Sequence, residues 1–126
     1  LAAGKTVVAN RSWISMVAYQ VYGRDHHDLK EVVDAAVARI YGECPIDLAL
    51  ILDLAPEVGV ARQRAEGKKF DVMENMSLEA RERVRNGFLK TARSLPAAQV
   101  INANRSIDEV YKEVKIAVSE LLEKTL

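Results

Sequence analysis

The run Leu48-Ala-Leu-Ile-Leu-Asp-Leu54 has apolar side chains at consecutive positions, and Asp53 is the exception. Successive side chains of a β-strand point to opposite faces of the sheet, so this strand needs apolar cover on both faces. Strands of this kind lie in the middle of parallel sheets that have helices on either side. The run therefore predicts an α/β fold.

Shorter patterns around this strand alternate between strand and helix periodicity. Val7 to Ala9 and Gln99 to Asn102 predict two further strands. The predicted order is strand, helix, helix, strand, helix, helix, strand, helix, which is typical of a parallel sheet with helices on both faces. The helix starts are Ser12 or Ser15, Asp28 and Ser77 as capping residues, Pro56 in a first turn, and the capping box Ser106-x-x-Glu109.

Apolar residues at helical spacing indicate which side chains of three helices face the core. They are Leu29, Val32, Val33, Ala36, Val37 and Ile40 in the second helix, Leu78, Val84, Phe88 and Ala92 in the fourth, and Val110, Val114, Val118 and Leu121 in the fifth.

The composition narrows the class of protein. With 126 residues, the chain is long enough for one core, and we expect a single domain over residues 1–126. Its 18 basic and 18 acidic residues balance, which argues against nucleic acid or a membrane surface as partner. No apolar stretch approaches the ~20 residues of a membrane span. A single cysteine, Cys44, fits the reducing cytosol, so we expect a cytoplasmic protein.

The first residues resemble the end of a helix. Leu1-Ala-Ala-Gly4-Lys5 reads as a last helical turn stopped by Gly4, so we expect further residues upstream. Gly4-Lys5-Thr6 also matches the tail of a phosphate-binding loop, which a helix must follow. Here the extended run Val7 to Ala9 follows instead, which favours a helix-to-strand turn.

Residues 10–24 combine several groups that could bind a nucleotide. Asn10-Arg11 follows the first predicted strand, at the sheet edge where ligands bind in open parallel sheets. An arginine presents a rigid fork that matches a phosphate. Arg11, Ser15 and Tyr19 share one helix face if the helix begins early. The alternative is that Tyr19 and Trp13 are core aromatics.

The run Asp25-His26-His27-Asp28 has the residue types of a metal site, but its spacing matches no common zinc pattern. We interpret it as an exposed loop before a helix, and we predict no metal site in the chain.

Five segments occur in the order found in thymidylate kinases. Residues 10–24 resemble the family's Asp-Arg-Tyr followed by Ser-x-x-Ala-Tyr-Gln, residues 45–59 its Pro-Asp-Leu strand and Pro-Glu, and residues 62–75 its lid. Residues 84–89 resemble the helix after the lid, and residues 101–110 resemble the Ile-Asp-Ala segment beside the adenine of ATP. The chain is therefore similar to the C-terminal portion of a thymidylate kinase.

This resemblance implies a fold and a reaction. The fold would be that of P-loop nucleoside monophosphate kinases, incomplete at the N-terminus, with a lid at about residues 62–76. The reaction would be ATP-dependent phosphorylation of dTMP to dTDP with Mg²⁺, in a homodimer. An upstream segment would supply the phosphate-binding loop, so residues 1–126 alone would be inactive.

The resemblance also assigns roles to individual residues. Arg11 would hold the dTMP phosphate, and Arg62 and Arg64 would be catalytic lid cations. The remaining substrate contacts would be Ser15, Tyr19, Gln20 and Arg24, and the ATP contacts would be Arg62, Ala103, Asn104 and Arg105.

Three departures from the family pattern leave two alternatives open. Asn10 replaces an aspartate, Val72-Met73 replaces an arginine and an aromatic residue in the lid, and Phe88 replaces a tyrosine. The alternatives are a kinase of the same fold that acts on another nucleotide, and a non-catalytic paralogue that binds a nucleotide.

Overall fold

The computed structural model describes residues 3–67 and 75–125. Leu1, Ala2, Leu126 and residues 68–74, which belong to the predicted lid, lie outside the described residues. The helices are α1 (Trp13–Met16), which continues as the π-helical segment Val17–Gly23, a 3₁₀ turn at His27–Leu29, α2 (Lys30–Tyr41), α3 (Pro56–Ala65), α4 (Leu78–Ser94) and α5 (Ile107–Thr125). The strands are β1 (Ala49–Asp53) and β2 (Ala98–Asn102).

The two strands pair in parallel, in a register that runs from Ala49 opposite Ala98 to Asp53 opposite Asn102. Ile51 and Ile101 are buried, and Ile101 is inaccessible to solvent. The predicted α/β class with a parallel sheet is confirmed. None of the described helices is both long enough and apolar enough to cross a lipid bilayer.

The strand predicted at Val7 to Ala9 is wrong for this structure. Residues 5–9 are irregular, and the side chains of Val7 and Val8 are 67% and 91% exposed. A strand is stable only when a neighbouring strand pairs with its backbone N–H and C=O groups. Within the described residues the sheet contains β1 and β2 only, so residues 7–9 have no neighbour.

Local capping chemistry is predicted well. The Ser12 hydroxyl accepts from the Ile14 N–H, and the Ser77 hydroxyl accepts from the Ala80 N–H. Pro56 begins α3. In the capping box, the Glu109 carboxylate accepts from the Ser106 N–H, and the Ser106 hydroxyl accepts from the Glu109 N–H.

The predicted cap at Asp28 is wrong. Asp28 lies within the 3₁₀ turn, and α2 begins after Leu29 without a side-chain cap. The additional turn displaces the helix start by one residue from the predicted position, because the capping position is Leu29 instead of Asp28.

Several predicted core positions are also wrong. Leu29, Val32, Ile40, Leu78 and Val118 are exposed, because no described element covers those faces of their helices. Val84 and Ala92 of α4 are buried as predicted. In α5, among the residues whose burial is described, Ala117 is buried, and it is next to the predicted Val118.

Helix α4 crosses the π-helical segment at two glycines. A Cβ added at Gly87 would lie 2.8 Å from the Tyr22 side chain. One added at Gly23 would lie 2.7 Å from Val84 Cγ2. Real Cβ atoms do not approach other atoms so closely, so the crossing depends on glycine at both positions.

We expect Gly87→Ala to lower the free energy of unfolding by about 1–3 kcal/mol, since overpacking at Tyr22 exceeds the gain in helix propensity. Gly59→Ala in α3 is the matched control, because the nearest atom to its added Cβ is Leu54 Cδ2 at 3.7 Å. The control should stabilise by roughly 0.5–1 kcal/mol. Urea unfolding of both variants measures the difference in unfolding free energy. Equal effects of the two substitutions would contradict the requirement for glycine at the crossing.

Candidate active site

Arg11 lies in the loop just before α1. Its backbone has φ 75°, a conformation that costs non-glycine residues about 1–3 kcal/mol. This backbone brings the guanidinium over the Tyr19 ring, 5.2 Å from its centroid, in a cation–π contact. Within the described part of the chain, Arg11 has no hydrogen bond or ion pair, so its N–H donors are available to an anion.

Tyr19 lies between Arg11 and helix α4. Its ring meets Phe88 edge to face, with centroids 6.1 Å apart and planes at 88°. The Tyr19 side chain is half-buried, whereas Trp13 packs against the core cluster of Ile14, Ile51 and Ala92. Trp13 is thus a core aromatic, and Tyr19 is in direct contact with Arg11.

The helix that carries the other predicted substrate contacts differs from a regular α-helix. It begins at Trp13, so Arg11 is outside it, and from Val17 it is π-helical. Ser15 and Gln20 are half-buried and Arg24 is exposed. The predicted shared helix face of residues 11, 15 and 19 is wrong in its geometry, but Arg11 still reaches Tyr19.

The predicted ATP contacts meet at the loop after β2. Arg62 donates from Nη1 to the Ala103 carbonyl at 3.1 Å and from Nη2 to the Arg105 carbonyl at 3.5 Å. Ala103 donates its N–H to the Asp53 carbonyl at 2.8 Å. The loop is also held from within, by Asn104 N–H to Asn102 Oδ1 and by an ion pair between Arg105 and Glu113.

Arg64 is separate from this group. Arg62 and Arg64 are two residues apart on α3 and point in different directions. Arg64 lines a shallow cleft of about 340 Å³ between α3 and the start of α4, together with Glu57, Asn75 and Arg81. The predicted lid substitutions Val72 and Met73 lie outside the described residues.

The sequence reading missed an ion pair at the carboxyl end of β1. Arg85 of α4 donates two hydrogen bonds to the Asp53 carboxylate, from Nε at 2.8 Å and from Nη2 at 3.0 Å. The hydrogen bond from Arg85 lowers the pKa of Asp53, and the same contact raises the pKa of Arg85. Asp53 is the one charged residue in an otherwise apolar strand, a signal that could have indicated a buried partner.

Comparison with known proteins yields one family. The sequence profile of the family described as "Thymidylate kinase" matches residues 1–114. A protein named thymidylate kinase from Legionella pneumophila (strain Paris) is 33% identical over 126 residues, covering 100% of this chain and 58% of that protein. One from Maridesulfovibrio salexigens is 37% identical over 127 residues, covering 94% and 57%. The chain thus spans a little over half the length of these relatives.

The Asp53–Arg85 pair gives the fold a pH dependence. A carboxyl group whose pKa is lowered by folding stabilises the fold above its ordinary pKa, and the contribution is lost as pH falls through the lowered value. We expect Asp53→Asn to lower the unfolding free energy by roughly 1–2 kcal/mol at pH 7, after allowance for partial exposure of the pair. The difference from wild type should shrink below about pH 4.

Urea unfolding between pH 7 and pH 3 measures this difference. Asp47→Asn is the matched control, because Asp47 is exposed and forms no ion pair within the described residues. A difference between wild type and Asp53→Asn that stays constant down to pH 3 would contradict the role of the pair.

Proposed function

Since this chain belongs to the thymidylate kinase family, we propose that it acts in the ATP-dependent phosphorylation of dTMP to dTDP. In this proposal residues 1–126 supply the dTMP site and the lid. A further segment supplies the phosphate-binding loop, in line with the greater length of the relatives.

The observation that carries the proposal is the contact between Arg11 and the Tyr19 ring. The Tyr19 ring contacts one face of the Arg11 guanidinium. The N–H donors of Arg11 form no hydrogen bond with any other described residue. A guanidinium held in this way binds a phosphate through two parallel hydrogen bonds. We assign the dTMP phosphate to Arg11 and the nucleoside to Ser15, Tyr19, Gln20 and Arg24.

Phosphoryl transfer depends mainly on positioning and on neutralising charge. A phosphate oxygen of dTMP attacks the γ-phosphorus of ATP, the bond to the β-phosphate bridging oxygen breaks, and ADP leaves. We assign the adenine side of ATP to Arg62, Ala103, Asn104 and Arg105. Arg64, and Arg62 when it leaves its carbonyl partners, are the cations that we assign to the transferred group.

Mg²⁺ is the expected companion of ATP. Among the described residues there is no group of three or more His, Cys, Asp or Glu side chains that could hold a metal ion. Asp53, at a strand end, is already bound by Arg85. In this proposal the phosphates of bound ATP would provide ligands for Mg²⁺.

We also propose that the protein is cytoplasmic, in line with its single cysteine, and that it forms a homodimer, as the family resemblance implies. Light scattering after size-exclusion chromatography measures the stoichiometry.

The first test is dTMP-dependent ADP release by the full-length gene product with ATP and Mg²⁺. We expect turnover, and we expect Arg11→Lys to lower kcat/KM for dTMP about 100-fold, because an ammonium cannot reproduce the planar fork. Arg39→Lys, on the exposed face of α2, is the matched control and should retain wild-type activity. The 126-residue chain alone should show no turnover.

Two results would contradict the proposal in different ways. Binding of dTMP without turnover would favour the non-catalytic alternative, to which Asn10 points. Faster turnover with dUMP, dCMP or dGMP than with dTMP would favour a kinase of another nucleotide.

A further inference from the structure

Two arginines of α4 point in opposite directions and hold different parts of the molecule. Arg83 and Arg85 are two residues apart, which on an α-helix corresponds to a rotation of about 200°. Arg83 faces the π-helical segment, and Arg85 faces β1. Neither residue belongs to the nucleotide contacts assigned above.

Arg83 holds the end of the helix that carries the proposed dTMP contacts. It donates to the Gly23 carbonyl from Nη2 at 3.0 Å and from Nε at 3.3 Å. Gly23 ends the π-helical segment, and its carbonyl is one of those that a helix end leaves without an intrahelical partner. Tyr19 and Gln20 lie one turn earlier, and Arg24 is the next residue.

Arg85 holds Asp53, which in turn is hydrogen-bonded to the loop of the proposed ATP contacts. It binds the Asp53 side chain, and the Asp53 carbonyl accepts the N–H of Ala103. The Ala103 carbonyl in turn accepts from Arg62. Four residues are therefore joined in one continuous chain of hydrogen bonds from α4 to the loop after β2.

From this arrangement we propose that Arg83 and Arg85 are positioning residues for two different nucleotide sites, Arg83 for the dTMP side and Arg85 for the ATP side. The inference rests on the proposed function for the identity of the two nucleotides. Helix α4 is then the rigid element that sets the distance between the phosphoryl donor, ATP, and the acceptor, dTMP. Phosphoryl transfer requires this distance to be held within narrow limits.

The test compares Arg83→Met and Arg85→Met in the full-length protein, with dissociation constants for dTMP and for ATP measured separately by calorimetry. Methionine keeps apolar side-chain bulk but removes the donors. We expect Arg83→Met to raise the Kd of dTMP about tenfold and to leave that of ATP within about twofold. Arg85→Met should do the reverse.

Lysine at either position retains one donor and should recover part of the lost affinity, and it serves as the folding-competent variant if methionine prevents folding. Arg93→Met is the matched control, because Arg93 is exposed on the last turn of α4 and has no partner among the described residues. A merely structural role would raise both Kd values together, or lower thermal stability without changing either Kd, and both results would overturn the inference.

The kinetics separate this inference from the proposed function. A wild-type protein that binds both nucleotides without turnover would overturn the kinase activity, while the selective changes in Kd would still support the positioning roles. Turnover by wild type, together with equal increases in the Kd values for dTMP and ATP in each variant, would overturn the positioning roles alone.

Discussion

The close crossing of α4 over the π-helical segment is the contact on which the remaining structure depends. Gly87 admits the Tyr22 side chain, and Gly23 admits Val84, so the two helical backbones approach more closely than any larger residues allow. This contact fixes the rotation of α4 about its axis, and so it places Phe88 against the Tyr19 ring. Tyr19 of the candidate dTMP site therefore lies on packed helices, and Arg11 reaches its ring from the loop before α1.

The carboxyl end of β1 is the second fixed point. Asp53 is held by Arg85 through its side chain and by Ala103 through its backbone. Ion pairs at a protein surface contribute little to folding stability. This pair is bidentate and partly buried, so its main effect is to define the geometry of the two side chains. Its position at the end of a parallel strand, where α/β proteins bind ligands, connects the packing of α4 with the proposed ATP contacts.

Only part of the candidate site could be predicted from the sequence. The sequence predicts that Arg11, Ser15 and Tyr19 share one helix face, but this prediction assumes a preceding strand and an early helix start, which the structure does not have. The contact between Arg11 and Tyr19 forms instead because Arg11 has a positive φ, which no residue pattern indicates. The family resemblance groups Arg62, Ala103 and Arg105, but their contacts are made through backbone carbonyls, which sequence patterns do not show.

Features that depend on neighbours within one helical turn follow directly from the sequence. The caps at Ser12, Ser77 and Ser106 and the proline start of α3 are such features, because both partners of each contact lie within four residues. The apolar character of residues 48–54 also determined the parallel strand.

Contacts between residues far apart in the chain depend on how whole elements pack. Arg85 and Asp53 are 32 residues apart, Arg62 and Ala103 are 41 apart, and Arg83 and Gly23 are 60 apart. The tertiary structure also decided which apolar faces are covered, and it left Val7, Val8 and the outer face of α2 exposed. The physical reason is the same in each case. The local sequence pattern indicates whether a side chain requires an apolar or a charged partner, but the packing of whole elements determines which residue that partner is.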